Sequence, residues 1–458
     1  MKPKIGLLPL YIKLYDEVAP DMRIRIEKFS KMIADTFISK EIEVFKSPIC
    51  RQKAEFSKAI NEFEKADVDV LVTLHLAYSP SLESITALLK TSLPIIVLDT
   101  TEDIDFGPVQ STEAILYNHG IHGVQDMCSL LVRHNRDFCI EAGHWKGSDV
   151  IDRVVHRIRG IVAAKAFSSA RIGIIGHPFK GMGDFQLSEG DFEKELGIKT
   201  IQYTPGKDNK LSKSYEEEKA YLSHIGTLSS DIPEETLEKN IKILQEVRKW
   251  MDEEHLDGFT CNFLDVDKGK SIDRVPFLAA AVGMYEQYGY AGEGDILNAA
   301  LVGSLLKINK NTTFTEMFCP DWRGGTIFLS HMGEINPRIC DPPATFMSKD
   351  YGYSDAHEPI YATGKCMAGS AHIINIVTLA DKKFRLIVVP VEVIHFKCDN
   401  FESSVRGWVK PKMPLERFLE AYSLAGGTHH SALIYADDVR MFETFAKKLS
   451  WELMVIDS

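Results

Sequence analysis

The sequence predicts an α/β protein: two Rossmann-like α/β domains on parallel sheets, then a β-rich, barrel-like C-terminal domain. Three observations carry this. Continuous apolar runs such as ADVDVLVTLHL (66–76) and LPIIVLDT (93–100) alternate with amphipathic stretches in the first part of the chain, the pattern of parallel strands covered on both faces. The alternation restarts at ARIGIIG (170–176) after a long helical stretch. Beyond residue 312 the runs become β-branched and alternating, as in FRLIVVPVEVIHFK, which favours antiparallel strands. The expected domains are residues 1–168, 169–311 and 312–458, close to the usual ~150 residues per domain.

Taken in order, PKIGLLPL (3–10) reads as the first strand and residues 22–37 as a helix with apolar residues near helical spacing. EIEVFKSPI is a strand, 54–65 a helix, 66–76 a strand, 79–90 a helix and 93–100 a strand. Polar residues just past such strands lie at the carboxyl edge of the sheet, where open α/β folds bind ligands. The helix 148–164, with Ser148 as N-cap, closes the first unit. In the second, 198–204 is a strand, 234–254 a strongly amphipathic helix and 257–265 strand-like. The helices 275–288 and 296–307 follow, and AGEGD joins them directly, so Glu293 is expected at a helix-to-helix junction. The last domain adds helices at 414–424 and 439–449 around AGGTHHSALIYA (425–436).

Composition narrows the function. The 53 basic and 65 acidic side chains leave a net charge of −12, so no basic excess exists to release counterions from a nucleic acid. No apolar run approaches the ~18 residues of a membrane span, and the N-terminus lacks the apolar core of a signal peptide. Eight scattered cysteines without a CxxC pair fit reduced thiols in a cytoplasmic protein. The glycines of GIIGHPFKGMGDF give neither GxGxxG nor a Walker loop, so neither nucleotide binding nor a reductase is expected.

The chemistry-bearing candidates are Glu293, set between Gly292 and Gly294, then Glu316, His331 and the pair His429-His430. Carboxylates and imidazoles brought together can hold a divalent cation or transfer protons. Adjacent histidines on a strand point to opposite faces, so one of the two is expected in any given site. Carboxylate and imidazole ligation without thiolate suits Mn²⁺, Co²⁺ or Mg²⁺ better than structural zinc.

Several segments are similar, in order, to those of the L-arabinose isomerase family, within the L-fucose and L-arabinose isomerase superfamily. The most specific are AGEGDILNAAL, TFTEMF, SHMGEINPRI and AGGTHHSAL; LHLAYSPS, YNHGIHG, GMGDF and GFTCNF add to them. The resemblance implies an aldose–ketose isomerase in which Glu293, Glu316, His331 and His430 (His429 as the alternate) hold Mn²⁺. Glu293 and Glu316 would double as acid and base, and His122, Met182 and Phe263 would line the sugar pocket. It also implies a trimer or hexamer whose active site is shared between subunits. L-Fucose or D-arabinose isomerisation, or non-catalytic sugar binding, are the alternatives. The family's Gly-Ser-Gln-x-Leu-Tyr loop is replaced here by LLPLYIKLYDE, where Tyr11 or Tyr15 would stand in.

Overall fold

A computed structural model describes residues 2–205 and 213–457. The chain divides into two compact units, Met1–Val162 and Ala163–Ser458.

The first unit carries strands β1 (Lys4–Leu10), β2 (Glu43–Lys46), β3 (Val70–His75), β4 (Ile95–Asp99) and β5 (Cys139–Ala142), paired in parallel in the order β2-β1-β3-β4-β5. Strand alternation sends Ile5, Leu7, Val70, Val72 and Leu74 to one face, where they meet Ile26, Phe29 and Ile33 of the helix Met22–Ser39. Leu8, Leu10, Leu71 and Val97 face the other way, against Phe56 and Ile60 of the helix Lys53–Lys65. Both faces are therefore covered, as the continuous apolar runs require.

The second unit holds two sheets. Strands β6 (Arg171–Ile175), β7 (Lys199–Gln202), the two-residue β8 (Thr227–Leu228), β9 (Gly258–Cys261) and β10 (Gly289–Gly292) come first. All but β8 form a parallel sheet in the order β10-β9-β6-β7. Strand β10 corrects the expected helix-to-helix junction before Glu293. Its sequence, GYAG, has weak strand propensity because glycine is costly in strands. Packing nonetheless needs those glycines: a Cβ at Gly289 would lie 2.1 Å from the Ala299 carbonyl oxygen, and one at Gly292 would lie 2.8 Å from Cε1 of His331.

The remaining strands are β11 (Thr312–Asp321), β12 (Thr326–Ser330), β13 (Thr345–Ser348), β14 (Ile360–Lys365), β15 (Gly369–Thr378), β16 (Phe384–Ile394), β17 (Val405–Pro411), β18 (His430–Ile434) and β19 (Glu452–Val455). They run β19-β16-β15-β18-β11-β12-β17-β14-β13-β8. An additional β16–β17 pairing closes β16-β15-β18-β11-β12-β17 into a ring, so the C-terminal region is a barrel with appended edge strands. The helix Ile296–Leu306 touches β6, β9 and β10 on one side and β11, β15 and β18 on the other. Every one of its residues is buried, as a helix that is apolar all round must be. It locks the end of the parallel sheet to the barrel. Among the described residues no helix is long and apolar enough to cross a membrane.

Candidate active site

Glu293 follows β10 at the carboxyl edge of the parallel sheet, the side on which such sheets bind ligands. Its φ is +63°, a conformation that costs a non-glycine residue ~1 kcal/mol or more and is kept only where surroundings impose it. Here the backbone is held at both ends: the Glu293 N–H donates to the Cys261 carbonyl at 2.9 Å, and its own carbonyl accepts from Phe179 N–H at 2.9 Å. Gly294, at φ +82°, completes the turn. Asp295 then caps the helix Ile296–Leu306, its side chain accepting from Asn298 N–H at 2.9 Å.

The barrel supplies the facing wall through register. Glu316 on β11 lies opposite His430 of β18 on one side and opposite Ser330 of β12 on the other. Directly opposed residues project to the same face, and His331 follows Ser330 immediately. Glu316 Oε1 is thus 2.8 Å from His430 Nε2 and 3.2 Å from His331 Nε2. Glu293 Oε2 approaches from the sheet side, 3.4 Å from His430 Nε2 and 3.8 Å from His429 Nε2.

His429 lies in a bend ahead of β18, so strand alternation does not apply to it. Both imidazoles turn to the same side, with ring centroids 4.2 Å apart. This overturns the expectation that only one could join the site. One ligand atom each from Glu293, Glu316, His429 and His430 lies within 4.8 Å of all the others. His331 falls outside that tightest group yet reaches Glu316.

The rear nitrogens were not legible as a set. His430 Nδ1 is 2.8 Å from Asp295 Oδ2, and His331 Nδ1 is 2.7 Å from Glu334 Oε1. Asp295 and Glu334 are both fully buried. His429 Nδ1 is 2.6 Å from Asp184 Oδ2. Each imidazole is therefore held from behind by a carboxylate, which orients the front nitrogen, the arrangement common to metal-bound histidines. Two of these partners sit inside quoted motifs: the acid two residues after Glu293 in GEGD, and the acid three after His331 in SHMGE. Asp184 has no such local signal. Phe314 packs edge-on to His331 and His430, and the buried Phe185 stacks on His430 at 5.1 Å and 12°.

The front atoms behave differently. His430 Nε2, His429 Nε2 and Glu293 Oε2 are buried without a hydrogen-bond partner among the described residues: they crowd together without hydrogen-bond alignment. Burial pushes the Glu293 carboxyl up, but the facing His429 and His430 override it and hold it at about 2. Glu316 is likewise pushed up by burial and held still lower by His331 and His430. Burial pulls His331 down, and Glu334 and Glu316 raise it to about 10. His430 is raised well above its ordinary value by Asp295, Glu293 and Glu316 against the opposing effect of burial. The pocket is strongly polarised and buried, which marks candidate functional sites.

Phe263, just past β9, packs against Phe179 at 5.7 Å and Tyr351 at 6.3 Å, forming an aromatic patch at the same carboxyl edge. Met182 is half-buried in the loop that carries Asp184 and Phe185. The other predicted sugar-facing residues belong to the first unit. Tyr15 places its hydroxyl 3.1 Å from His119 Nε2, and His122 is exposed on the helix Gly120–Arg133. Tyr11 is fully buried, its hydroxyl enclosed without a partner among the described residues, so Tyr15 and His122 are the accessible candidates within the first unit.

Residues 199–311 match the L-arabinose isomerase central domain and residues 311–452 match the L-arabinose isomerase C-terminal domain. The chain belongs to the L-arabinose isomerase family. It is similar to L-arabinose isomerase of Shouchella clausii, 25% identical over 99% of this chain and 93% of the relative. It is also similar to L-arabinose isomerase 1 of Clostridium acetobutylicum, at 26% over 90% and 87%, and to the Thermotoga maritima enzyme, at 25% over 94% and 90%. As a member of this family the chain is a sugar isomerase of the aldose–ketose class.

Proposed function

We propose that the chain is a metal-dependent isomerase of a pentose or 6-deoxyhexose, of the L-arabinose to L-ribulose type. The observation that carries the metal reading is the contrast within the cluster. The rear nitrogens of His331 and His430 sit on buried carboxylates, while His430 Nε2 and Glu293 Oε2 converge without hydrogen-bond partners. That donor set, oxygen and imidazole without thiolate, fits Mn²⁺, with Co²⁺ or Mg²⁺ as alternatives. Glu293, Glu316, His331 and His430 would hold the ion. His430 is preferred over His429 because its ring is fully buried and faces both glutamates, whereas the His429 side chain is 37% exposed and faces Glu293 alone. His331 is kept although His429, not His331, belongs to the tightest grouping, because the His331 ring is enclosed and backed by the buried Glu334.

A bound divalent ion supplies Lewis-acid polarisation of the sugar carbonyl. Of the two glutamates, one takes the C2 proton and returns it to C1 through an enediol, and the other moves the hydroxyl proton. Asp295 and Glu334 keep the imidazoles in one orientation. The aromatic patch of Phe263 and Phe179 offers an apolar wall for the sugar carbons. Tyr15 and His122 suit a role in a homo-oligomer, trimer or hexamer, in which one copy's first unit contributes to its neighbour's pocket.

The test is ketose formation by metal-free protein given Mn²⁺, assayed on L-arabinose, L-fucose, D-arabinose and D-galactose. Turnover on at least one aldose, dependent on added metal, is expected. Turnover that persists undiminished in chelator would overturn the metal reading. Preference for L-fucose or D-arabinose would favour the second substrate class.

A further inference from the structure

The loop between β6 and the helix Glu189–Leu196 reaches the site with two consecutive residues. Phe185 stacks on His430, and Asp184 takes His429. One carboxylate oxygen of Asp184 accepts twice from the same residue, from His429 Nδ1 at 2.6 Å and from the His429 backbone N–H at 3.1 Å. That pair of bonds fixes both the ring and the bend that carries it. The base of the loop is tied separately, by Phe179 N–H to the Glu293 carbonyl at 2.9 Å and by Asn262 Nδ2 to the His177 carbonyl at 2.8 Å. Between these anchors Gly181 has a φ of +102°, and a Cβ at Gly181 or Gly183 would meet nothing within 4 Å. The far end of the loop is held by Asp184 and Phe185 on the site and by Gln186 Nε2, which donates to the Phe179 carbonyl at 2.7 Å.

His429 differs from the other two imidazoles in what holds it. His430 opens strand β18, His331 directly follows β12, and both lean on carboxylates that are fully buried. His429 lies in a bend, its side chain 37% exposed, and its partner Asp184 is 36% exposed. Its Nε2 faces Glu293 at 3.8 Å with no hydrogen-bond partner. Its ring is thus the least enclosed of the three imidazoles, with its Nε2 turned inward beside Glu293. We propose that Asp184 is a positioning residue that sets His429 as a sugar-facing hydrogen-bonding group beside Glu293, outside the metal ligand set. With Nδ1–H committed to Asp184, Nε2 is presented to a substrate hydroxyl. A misplacement of the ring then weakens sugar binding and leaves the ion in place.

This inference rests on the isomerase reading above, and the test separates the two. Steady-state kinetics on the preferred aldose are measured for the wild type, Asp184→Ala and Asp184→Asn, together with Mn²⁺ affinity by calorimetry on metal-free protein. Asp184→Ala is expected to raise KM about tenfold, an ordinary loss for a displaced positioning group, with Mn²⁺ affinity within about threefold of wild type. Asp184→Asn, whose amide oxygen still accepts both bonds, is expected to recover most of that loss. A tenfold fall in Mn²⁺ affinity in Asp184→Ala would make His429 a metal ligand and overturn the proposal, as would kinetics unchanged in Asp184→Ala or unrescued by asparagine. A wild type inactive on every aldose would overturn the isomerase reading itself.

Discussion

Glu316 and His430 face each other across the β11–β18 ladder, Oε1 to Nε2 at 2.8 Å, so the barrel register itself builds one wall of the site. The other wall, Glu293, comes from a parallel sheet of different construction. The helix Ile296–Leu306, buried along its whole length, joins the two.

That relationship makes Glu316→Gln informative. Gln keeps the shape of the side chain and removes its charge and basicity. We expect kcat to fall by about 10²–10⁴, the range of a lost acid–base group, with the melting temperature nearly unchanged and sugar still bound. Retained turnover would remove Glu316 from the acid–base role.

Asp295 serves His430 and the helix at once. Asp295→Asn should lower Mn²⁺ affinity by about 10–100-fold, as loss of an outer carboxylate partner does. Asp295→Ala should in addition lose about 0.5–2 kcal/mol of stability as a helix cap. Calorimetric Mn²⁺ titration and thermal unfolding of the pair of variants distinguish the two roles. Equal stability of the two variants would show that the cap contributes little.

Much of this site was readable and some was not, for definite reasons. Glu293, Glu316 and His331 stand out because a charged residue in an apolar run is unusual, and the barrel was legible in the β-branched runs that build it. Strand β10 was not, because its two glycines are selected by close approach to Ala299 and His331, a tertiary demand that outweighs propensity. Strand alternation does not govern His429, which lies one residue ahead of β18. Asp184 is separated from His429 by 245 positions, and no local pattern announces such a partner.

The first unit offers a test of stability against pH. His75 is buried with neither ring nitrogen hydrogen-bonded among the described residues, and burial, only partly opposed by Asp126, lowers it from 6.5 to about 3. The unfolded imidazole binds a proton below 6.5, and the folded one does so only near 3. The unfolded state therefore holds more protons across that interval. This group's contribution to stability is full above the unfolded value and is lost as pH falls, by up to ~1.4 kcal/mol per pH unit. His75→Leu should flatten the fall in unfolding midpoint between neutral pH and pH ~4, as followed by denaturant titration. Parallel curves for variant and wild type would contradict the assignment.

Glu293, Glu316, His331 and His430 are expected to hold one divalent ion together. Calorimetric titration of Mn²⁺ into metal-free wild type and His430→Ala tests it most directly. One ion per chain is expected in the wild type, with an affinity loss of at least about tenfold in the folded variant. No binding to the wild type, or equal binding to both, would contradict it.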